Sequence, residues 1–274
     1  MPIAVMIKTL NEERNIAACI NSFPPGTPVV LFDSFSTDGT LDIAGKLGAK
    51  IVQRRWDDEA THLNWAAANI DFGCPWVLHF DADERMTPEL WTQMTTRTAE
   101  ATDVAAFEMR RKDMFMGTWI RHSSFYPCWF ARLYQPGKIR WQRVINPVTI
   151  VDGPIGRLDG HFVHYPFSKG TGGWLARHIK YAEGEAAELL KSDLQPIQWT
   201  KLFSGGQDRR RELKRLFYRM PARPLLKFLV LYLLRRGFLD GRAGYHYARM
   251  QSVYEYMIHL RVLEEKRRAK GQPI

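Results

Sequence analysis

The sequence has few cysteines and no long apolar run, and both shortages exclude whole classes of protein. Its three cysteines, Cys19, Cys74 and Cys128, are far apart and form no C-x-x-C pair, so neither a disulfide framework nor a zinc cluster is indicated. The most apolar run, Leu225 to Leu234, contains a lysine and falls short of the roughly 20 residues that span a bilayer. Met1–Leu10 resembles a short strand rather than a signal peptide. These features favour a reducing, cytoplasmic setting.

Other features missing from the sequence exclude further classes of function. The chain has no G-x-x-x-x-G-K-[ST] loop, which removes support for an ATPase, and it has no internal repeat or low-complexity stretch. With 45% hydrophobic and 25% charged residues among 274, the composition is that of an ordinary globular protein. The length suits one large α/β domain, or one domain with a helical extension.

Positive charge is concentrated in the last quarter of the chain. Residues 201–274 carry 18 Lys/Arg and 6 Asp/Glu, a net charge of +12, whereas residues 1–200 carry 21 and 23. A basic segment of this kind fits nucleic acid, anionic lipid or an acidic partner. No recognised nucleic-acid-binding motif accompanies the charge, so nucleic acid is the least favoured of the three.

Strand and helix patterns alternate through the first half of the chain. Short apolar runs at Ile3–Ile7, Val29–Phe32, Lys50–Gln53 and Trp76–Phe80 are separated by helical stretches. This order predicts an α/β fold with a mostly parallel sheet and helices on both faces. We place this domain at residues 1–200 and a basic, amphipathic helical extension at residues 201–274.

The strongest chemical signal is an acidic cluster directly after the fourth predicted strand. Asp81, Asp83 and Glu84 lie within four residues, and carboxylates this close repel one another unless a cation or strong donors lie between them. Mg²⁺ and Mn²⁺ bind few protein carboxylates and share phosphate oxygens with a substrate. For an isolated cluster, a solvated turn before the next helix would be the better interpretation.

Two other strands also end in polar residues. Val29–Phe32 is followed by Asp33 and Ser36, and the first strand leads into Thr9, Asn11 and Glu12. Turn chemistry alone would explain any one of these groups. Ligands in parallel α/β sheets bind at the carboxyl ends of the strands, and three polar ends together favour a functional site.

The motifs that carry these residues resemble a known family. Thr9-Leu10-Asn11-Glu12-Glu13, Asp33-Ser34-Phe35-Ser36-Thr37-Asp38-Gly39-Thr40 and Leu78-His79-Phe80-Asp81-Ala82-Asp83-Glu84 are similar, in order and spacing, to the inverting family-two glycosyltransferases of GT-A fold. The resemblance covers roughly residues 1–190. It is nearest to bacterial enzymes of lipopolysaccharide core and surface polysaccharide synthesis.

The resemblance implies a role for each matching residue. A nucleotide-sugar donor and a divalent metal, Mg²⁺ or Mn²⁺, would be bound, and the acceptor would be a lipid-linked molecule or a glycan. Asp83 would bind the metal on the diphosphate, and the metal would stabilise the leaving group. The donor itself would be bound by residues on all three strand ends and the third helix: Thr9, Asn11, Glu12, Asp33, Ser36, Asn64 and Asp81.

The general base is where the sequence departs from the family. Relatives carry a Glu in an acceptor-loop motif, but in the matching stretch, Arg143–Val148, Pro147 stands at that position. Asp159 is our candidate catalytic replacement, with Asp152 or His161 as alternatives, and a shifted alignment would also explain the mismatch. The chain would otherwise be a nucleotide-sugar-binding homologue with little or no transferase activity.

Two further groups of residues allow more than one interpretation. The histidines His122, His161 and His164 lack metal-ligand spacing and are expected to be structural. In the C-terminal quarter, basic residues beside bulky apolar ones suit a helix at a membrane interface. A helical subdomain packed on the core, or a contact between subunits, fits that pattern equally well, as would a basic membrane-surface module on an incidental scaffold.

Overall fold

The computed structural model describes residues 2–100, 103–142, 147–192, 196–203, 206–220 and 222–274. By contacts, the chain divides into two compact units. The first contains the residues up to Trp119 together with Phe125–Lys169, and the second contains Ile120–Ser124 and Gly170–Ile274. The predicted boundary near residue 200 stays a prediction, and the contact division falls about thirty residues earlier.

A mixed sheet forms the framework of the first unit. Its strands follow the order β3-β2-β1-β4-β8-β6-β11-β5, with β7 paired to β6, while β9 and β10 form a separate hairpin. Strands β1 to β4 are parallel, and β8 runs antiparallel to both β4 and β6. The strands are β1 Ile3–Thr9, β2 Val29–Asp33, β3 Lys50–Gln53, β4 Trp76–Asp81, β5 Glu84–Arg85, β6 Ala106–Phe115, β7 Thr118–Trp119, β8 Trp129–Tyr134, β9 Ile139–Gln142, β10 Val148–Val151 and β11 Ile155–His164.

Apolar cores cover both faces of this sheet. Successive residues of a strand point to opposite faces, and in β1 Val5 belongs to one core while Met6 belongs to the other. Helices α1, α2 and α4 contribute to the first core, and α3 contributes to the second. The helices are α1 Ile16–Ile20, α2 Thr40–Lys46, α3 Glu59–Asn69 and α4 Pro88–Glu100. Burial on both faces explains why β1, β2 and β4 are nearly continuous apolar runs.

The second unit is helical. Its helices are α5 Gly170–Ser192, α6 Gly206–Arg219, α7 Arg223–Leu229 and α8 Gly241–Arg268. A 3₁₀ turn at Trp199–Leu202, a π-helical turn at Val230–Leu234 and a 3₁₀ turn at Gly237–Asp240 connect them. Helices α5 and α8 pack together around Ala182, Leu189 and Ile258.

Asp240 organises part of the second unit. Its carboxylate is almost fully buried and accepts hydrogen bonds from the backbone N–H groups of His122 and Ser123, at 3.0 and 2.9 Å. The His122 Nδ1 atom lies 2.7 Å from the same carboxylate. This accounts for the assignment of Ile120–Ser124 to the helical unit, and it agrees with the structural role predicted for His122.

The sequence predictions for the fold are confirmed in their main lines. The four predicted strands of the first half form, and the chain continues into the predicted helices of the C-terminal quarter. Within the residues that the structure describes, no helix is both long and apolar enough to cross a membrane. Within the predicted helical extension, the regular α7 changes to a π-helical turn after Leu229.

Candidate active site

The carboxyl ends of β1, β2 and β4 meet at one edge of the sheet. In the strand register Thr9 pairs with Asp33, and Lys8 pairs with Asp81. The structure thus brings together the three polar clusters that the sequence places after separate strands. Asp83 lies two residues beyond the end of β4.

Asp33 is fully buried and bound by protein donors. Its Oδ1 accepts from the hydroxyls of Thr9 and Ser36 at 2.9 and 2.5 Å, and its Oδ2 accepts from the Ser36 N–H and the Gln53 amide at 2.9 and 3.1 Å. These bonds use the roughly four acceptor positions of a carboxylate. A contact between Asp33 and a base or ribose stays a prediction. Such a contact requires one of these hydrogen bonds to break.

Asp81 lies between two cations of the protein. Its Oδ1 is 3.1 Å from Lys8 Nζ and its Oδ2 is 3.1 Å from Arg132 Nη2. Burial favours the neutral acid, but Lys8 and Arg132 outweigh it and hold the pKa of Asp81 well below its usual range. Lys8 also forms an ion pair with Glu59. Asp81 is therefore ionised and charge-compensated without any bound ligand.

Glu84 anchors the turn that carries Asp83. Its fully buried side chain accepts from Arg132 Nη2 at 3.0 Å and from the backbone N–H of Asp81 at 2.9 Å. Burial and the neighbouring Asp81 raise the pKa of the Glu84 carboxyl, against the lowering effect of Arg132. Arg132 thus holds two of the three clustered carboxylates.

Asp83 has a different partner. Its Oδ2 lies 3.6 Å from Nε2 of His164, at the end of β11, and His164 Nδ1 lies 2.6 Å from Asp113 Oδ1. Arg111 also pairs with Asp113, at 2.9 Å. Although burial lowers it, the pKa of His164 is raised to about 9 by Asp83 and Asp113. His164, expected from sequence to be purely structural, lies beside the predicted metal ligand.

This pair fits a divalent metal bound together with a diphosphate. Mg²⁺ is usually held by one or two carboxylates plus substrate phosphates and water, at about 2.1 Å, and two atoms 3.6 Å apart can both reach one ion. The second nitrogen of His164 contacts Asp113, as metal-bound imidazoles commonly contact a carboxylate. Within the described part of the chain, no group of three or more His, Cys, Asp or Glu side chains is arranged to hold a metal ion by itself.

The loop after β1 is fixed by its own polar side chains. Asn11 adopts a left-handed backbone conformation with φ of 55°, which Asn tolerates better than most residues, and its Oδ1 accepts from the Thr37 N–H at 2.8 Å. Glu12 pairs with Lys169 Nζ at 2.6 Å and accepts from Asn15 at 2.7 Å. Burial raises the pKa of Glu12. Both residues lie beside the site, and their contact with a nucleotide stays a prediction.

Asn64, on α3, binds the β9 strand. Its amide nitrogen donates to the carbonyl of Trp141 at 2.8 Å, and its oxygen accepts from the Trp141 N–H at 2.9 Å. This reciprocal pair fixes the helix against the hairpin. The predicted contact between Asn64 and a nucleotide is untested, and the side chain already has a structural partner.

The candidate base Asp159 is not brought to this edge. It is exposed in β11, five residues before His164, which corresponds to at most about 16 Å along a strand, since β11 has a register irregularity between Arg157 and His161. Asp152 is also exposed, and it lies between β10 and β11. Residues 143–146 of the predicted acceptor loop lie outside the described residues, and Pro147 directly precedes β10.

Three residues contact the clustered carboxylates in ways not predicted from the sequence: Lys8, Arg132 and His164. Lys8 and Arg132 each interrupt an apolar strand, β1 and β8, and a charged residue in a buried strand indicates a buried partner. That signal was present in the sequence. The contact between His164 and Asp83 was not, because β4 and β11 pair with different neighbours.

Comparison with known proteins shows the family. The model of Glycosyl transferase family 2 matches residues 4–161. An uncharacterized glycosyltransferase of Rickettsia typhi is 40% identical, over 89% of this chain and 80% of that protein. The lipopolysaccharide core biosynthesis glycosyltransferase LpsC of Rhizobium meliloti is 23% identical, over 96% and 93%. A crystal structure of S. aureus TarS 1-349 aligns with 93% of this chain and 91% of its own, at 17% identity and a TM-score of 0.44.

The chain therefore belongs to glycosyl transferase family 2. The matched region contains all three polar strand ends and the Asp81–Glu84 turn. The protein is a glycosyltransferase, and its mixed α/β sheet is the GT-A fold that the motifs predicted.

Proposed function

We propose that the protein transfers a sugar, with inversion, from a nucleotide-sugar donor to a lipid-linked or lipopolysaccharide acceptor. One observation carries this proposal: in a family 2 domain, the carboxyl ends of β1, β2 and β4 lie together beside the Asp83–His164 pair. The acceptor class is supported by the similarity to LpsC, whose name places it in lipopolysaccharide core biosynthesis.

Asp83 and His164 would hold a divalent metal on the donor diphosphate. When bound, such an ion supplies positive charge that stabilises the leaving nucleoside diphosphate. Asp81 stays a predicted donor contact on the ribose side. Its ion pairs with Lys8 and Arg132, together with the Arg132–Glu84 pair, would also fix the turn on which Asp83 lies. The Thr9, Asp33 and Ser36 cluster orders the loop that would face the base and ribose.

The acceptor hydroxyl needs a general base opposite the leaving group. Asp159 remains our candidate by sequence, although it lies far along β11 from His164. The variant Asp159→Asn tests it directly. Loss of transfer with donor binding intact would support a catalytic role, and unchanged transfer would contradict it.

The central test is the variant Asp83→Asn, with Asp42→Asn as matched control because Asp42 is exposed on α2. We expect Asp83→Asn to lose Mn²⁺-dependent binding of the nucleotide sugar and to reduce transfer by at least about 100-fold, the scale of losing one group that stabilises developing charge. The control should behave as wild type. Calorimetry with and without Mn²⁺ measures binding, and product formation across an acceptor panel measures transfer.

The outcomes separate the candidate functions. Metal-dependent transfer that Asp83→Asn leaves unchanged would contradict the proposed site. Donor binding with neither transfer nor donor hydrolysis would favour a sugar-nucleotide-binding homologue, which the Pro147 departure motivates.

We also propose that the second unit contacts an anionic membrane surface. Six large apolar side chains between residues 225 and 239 are 37–77% exposed: Leu225, Leu229, Leu233, Leu234, Phe238 and Leu239. Arg236, in the same stretch, and Arg242, three residues after its end, are also exposed. Apolar side chains that insert at the interface, together with arginines that attract anionic headgroups, make such surfaces bind lipid. This location also suits a lipid-linked acceptor.

Cosedimentation with vesicles tests the membrane proposal. We expect binding to vesicles with about a third anionic phospholipid, weaker binding at high salt, and loss of binding in the variant Leu234→Ser/Leu239→Ser. Leu263→Ser is the matched control, because Leu263 is 44% exposed on α8. Absence of vesicle binding would contradict the proposal. A dimer that dissociates in the double variant, as measured by light scattering, would also contradict the membrane proposal, because a second copy of the chain would then cover the apolar surface.

A further inference from the structure

A cavity of about 280 Å³ opens beside the Asp83 turn in the first unit. Its walls come from the start of α1, from β5, from the β6–β7 hairpin and from the segment after β11. Lining residues include Asn15, Arg85, Phe115, Met116, Tyr165 and Ser168. Its volume is just below the ~300–1,000 Å³ typical of small-molecule sites, so it suits a single sugar ring better than a nucleotide.

The cavity is connected to the candidate metal site through the backbone. The N–H of Tyr165, directly after His164, donates to the carbonyl of Asp83 at 2.9 Å. Arg85 Nη1 donates to the carbonyls of Ala82 and Glu84, on either side of Asp83, at 2.8 and 2.7 Å. A ligand in the cavity would therefore lie next to the point where the donor diphosphate is proposed to bind.

The walls combine aromatic rings with one cation. Phe115 packs against Phe167 with ring centroids 4.2 Å apart, and the Arg85 guanidinium lies 5.6 Å from the centroid of Tyr165. Both hydrogen bonds of Arg85 use Nη1, and among the described residues its Nη2 and Nε have no hydrogen-bond partner. Planar donors of this kind recognise carboxylate and phosphate oxygens.

We propose that this cavity is an acceptor subsite that binds a sugar ring with an anionic substituent, with the ring against the aromatic wall and the anion on Arg85. This inference rests on the proposed transferase function, and it adds the chemistry of the acceptor's recognised group, which the proposed function leaves open. None of the lining residues comes from β2 or from the Asp33 loop, which separates the cavity from the proposed base and ribose contacts.

The first test uses small probes and NMR saturation transfer. Glucose, glucuronate and glucose 6-phosphate are compared, since the two charged sugars distinguish a carboxylate from a phosphate as the recognised anion. We expect at least one charged probe to bind more tightly than glucose and to remain bound when a nucleoside diphosphate and Mn²⁺ are added. Equal binding of all three, or no binding, would overturn the proposal. Displacement by the nucleotide sugar would assign the cavity to the donor sugar instead.

Substitution at Met116 gives a test that does not disturb the Asp83 turn. Met116 is 66% exposed at the cavity rim, with φ of 50°, a conformation that both Asp and Asn tolerate. Met116→Asp places a like charge beside the bound anion and should weaken binding of the charged probe at least about threefold relative to Met116→Asn. Equal binding by the two variants would contradict the proposed orientation of the anion.

Substitution of Arg85 should change the binding of the charged probes more than substitution of Met116. Arg85→Gln should abolish the preference for charged probes, and it should raise the KM for the acceptor in transfer assays. Arg140→Gln, at an exposed arginine on β9, is the charge-matched control. Mn²⁺-dependent donor binding must be retained in Arg85→Gln for the result to concern the acceptor. If donor binding fails in the wild-type protein, the proposed function fails; if only the Arg85 and Met116 effects fail, the subsite alone is wrong.

Discussion

Removal of Arg132 offers the sharpest test of how the site is held together. Arg132 lies in β8, is only 9% exposed, and its Nη2 bonds both Asp81 and Glu84. The variant Arg132→Met keeps an unbranched, apolar side chain in the strand. It leaves two neighbouring carboxylates without their shared cation.

The expected loss follows from the burial of the two partners. Glu84 is fully buried, and deleting one member of a buried ion pair costs about 3–5 kcal/mol. Asp81 has a side chain that is 34% exposed and retains Lys8, so solvent screening makes its share small. We therefore expect the first unit to lose about 3–5 kcal/mol, or about 2–4 °C in Tm for each kcal/mol.

Hydrogen exchange on β4 and β8 amides measures this loss locally, which matters because two compact units need not unfold together. Arg140→Gln should change stability by no more than about 0.5 kcal/mol. A double-mutant cycle with Glu84→Gln should show coupling of about 1–3 kcal/mol. A loss below about 1 kcal/mol in Arg132→Met, or strictly additive effects in the cycle, would refute the claim that Arg132 compensates this pair.

Two further predictions concern the second unit. In a urea titration, Gly237→Ala should lower the free energy of unfolding by about 1–3 kcal/mol, because the added Cβ would lie 2.6 Å from the carbonyl oxygen of Leu231. Gly172→Ala is the control: it has open space around it and should be neutral or slightly stabilising. Burial lowers the pKa of His178 to about 4, despite its bond to the Trp174 carbonyl. As the pH falls, His178 therefore takes up its proton in the unfolded chain before it does so in the folded protein. The free energy of unfolding should then fall by at most about 3 kcal/mol from pH 6.5 to pH 4. An NMR titration midpoint near 6.5 for His178 in the folded protein would contradict this.

The parallel half of the sheet was predictable because its signals are local. Apolar runs bounded by Pro24-Pro25-Gly26 and by polar ends identify β1, β2 and β4, and the rule that parallel strands share one carboxyl edge brings Thr9, Asp33 and Asp81 together. No long-range information is needed for that step. The family motifs lie on the same local segments.

The second half of the site was not predictable in this way. Strand β11 reaches the site by pairing with β6 and β5, and β6 in turn pairs with β8. The pairings that bring β11 and β8 to the site join segments about 50 to 80 residues apart, namely β11 with β6 and β5, and β8 with β4. Local periodicity does not encode contacts at that separation. His164 and Arg132 arrive through those strands, and so their roles were missed. Asp159 was chosen for its residue type alone, without information on how far along β11 it lies.

The acidic cluster after β4 shows why counting carboxylates is insufficient. Repulsion among Asp81, Asp83 and Glu84 was the sequence argument for a bound cation, yet protein side chains already compensate all three. Lys8 and Arg132 contact Asp81, Arg132 contacts Glu84, and His164, whose pKa is raised to about 9, lies 3.6 Å from Asp83. Asp83 differs because the imidazole beside it can itself bind a metal once it loses its proton. The proposed metal would therefore be held by one carboxylate and one histidine. Arg132→Met should weaken metal binding only through the position of the turn, whereas Asp83→Asn should remove one of the two proposed ligands.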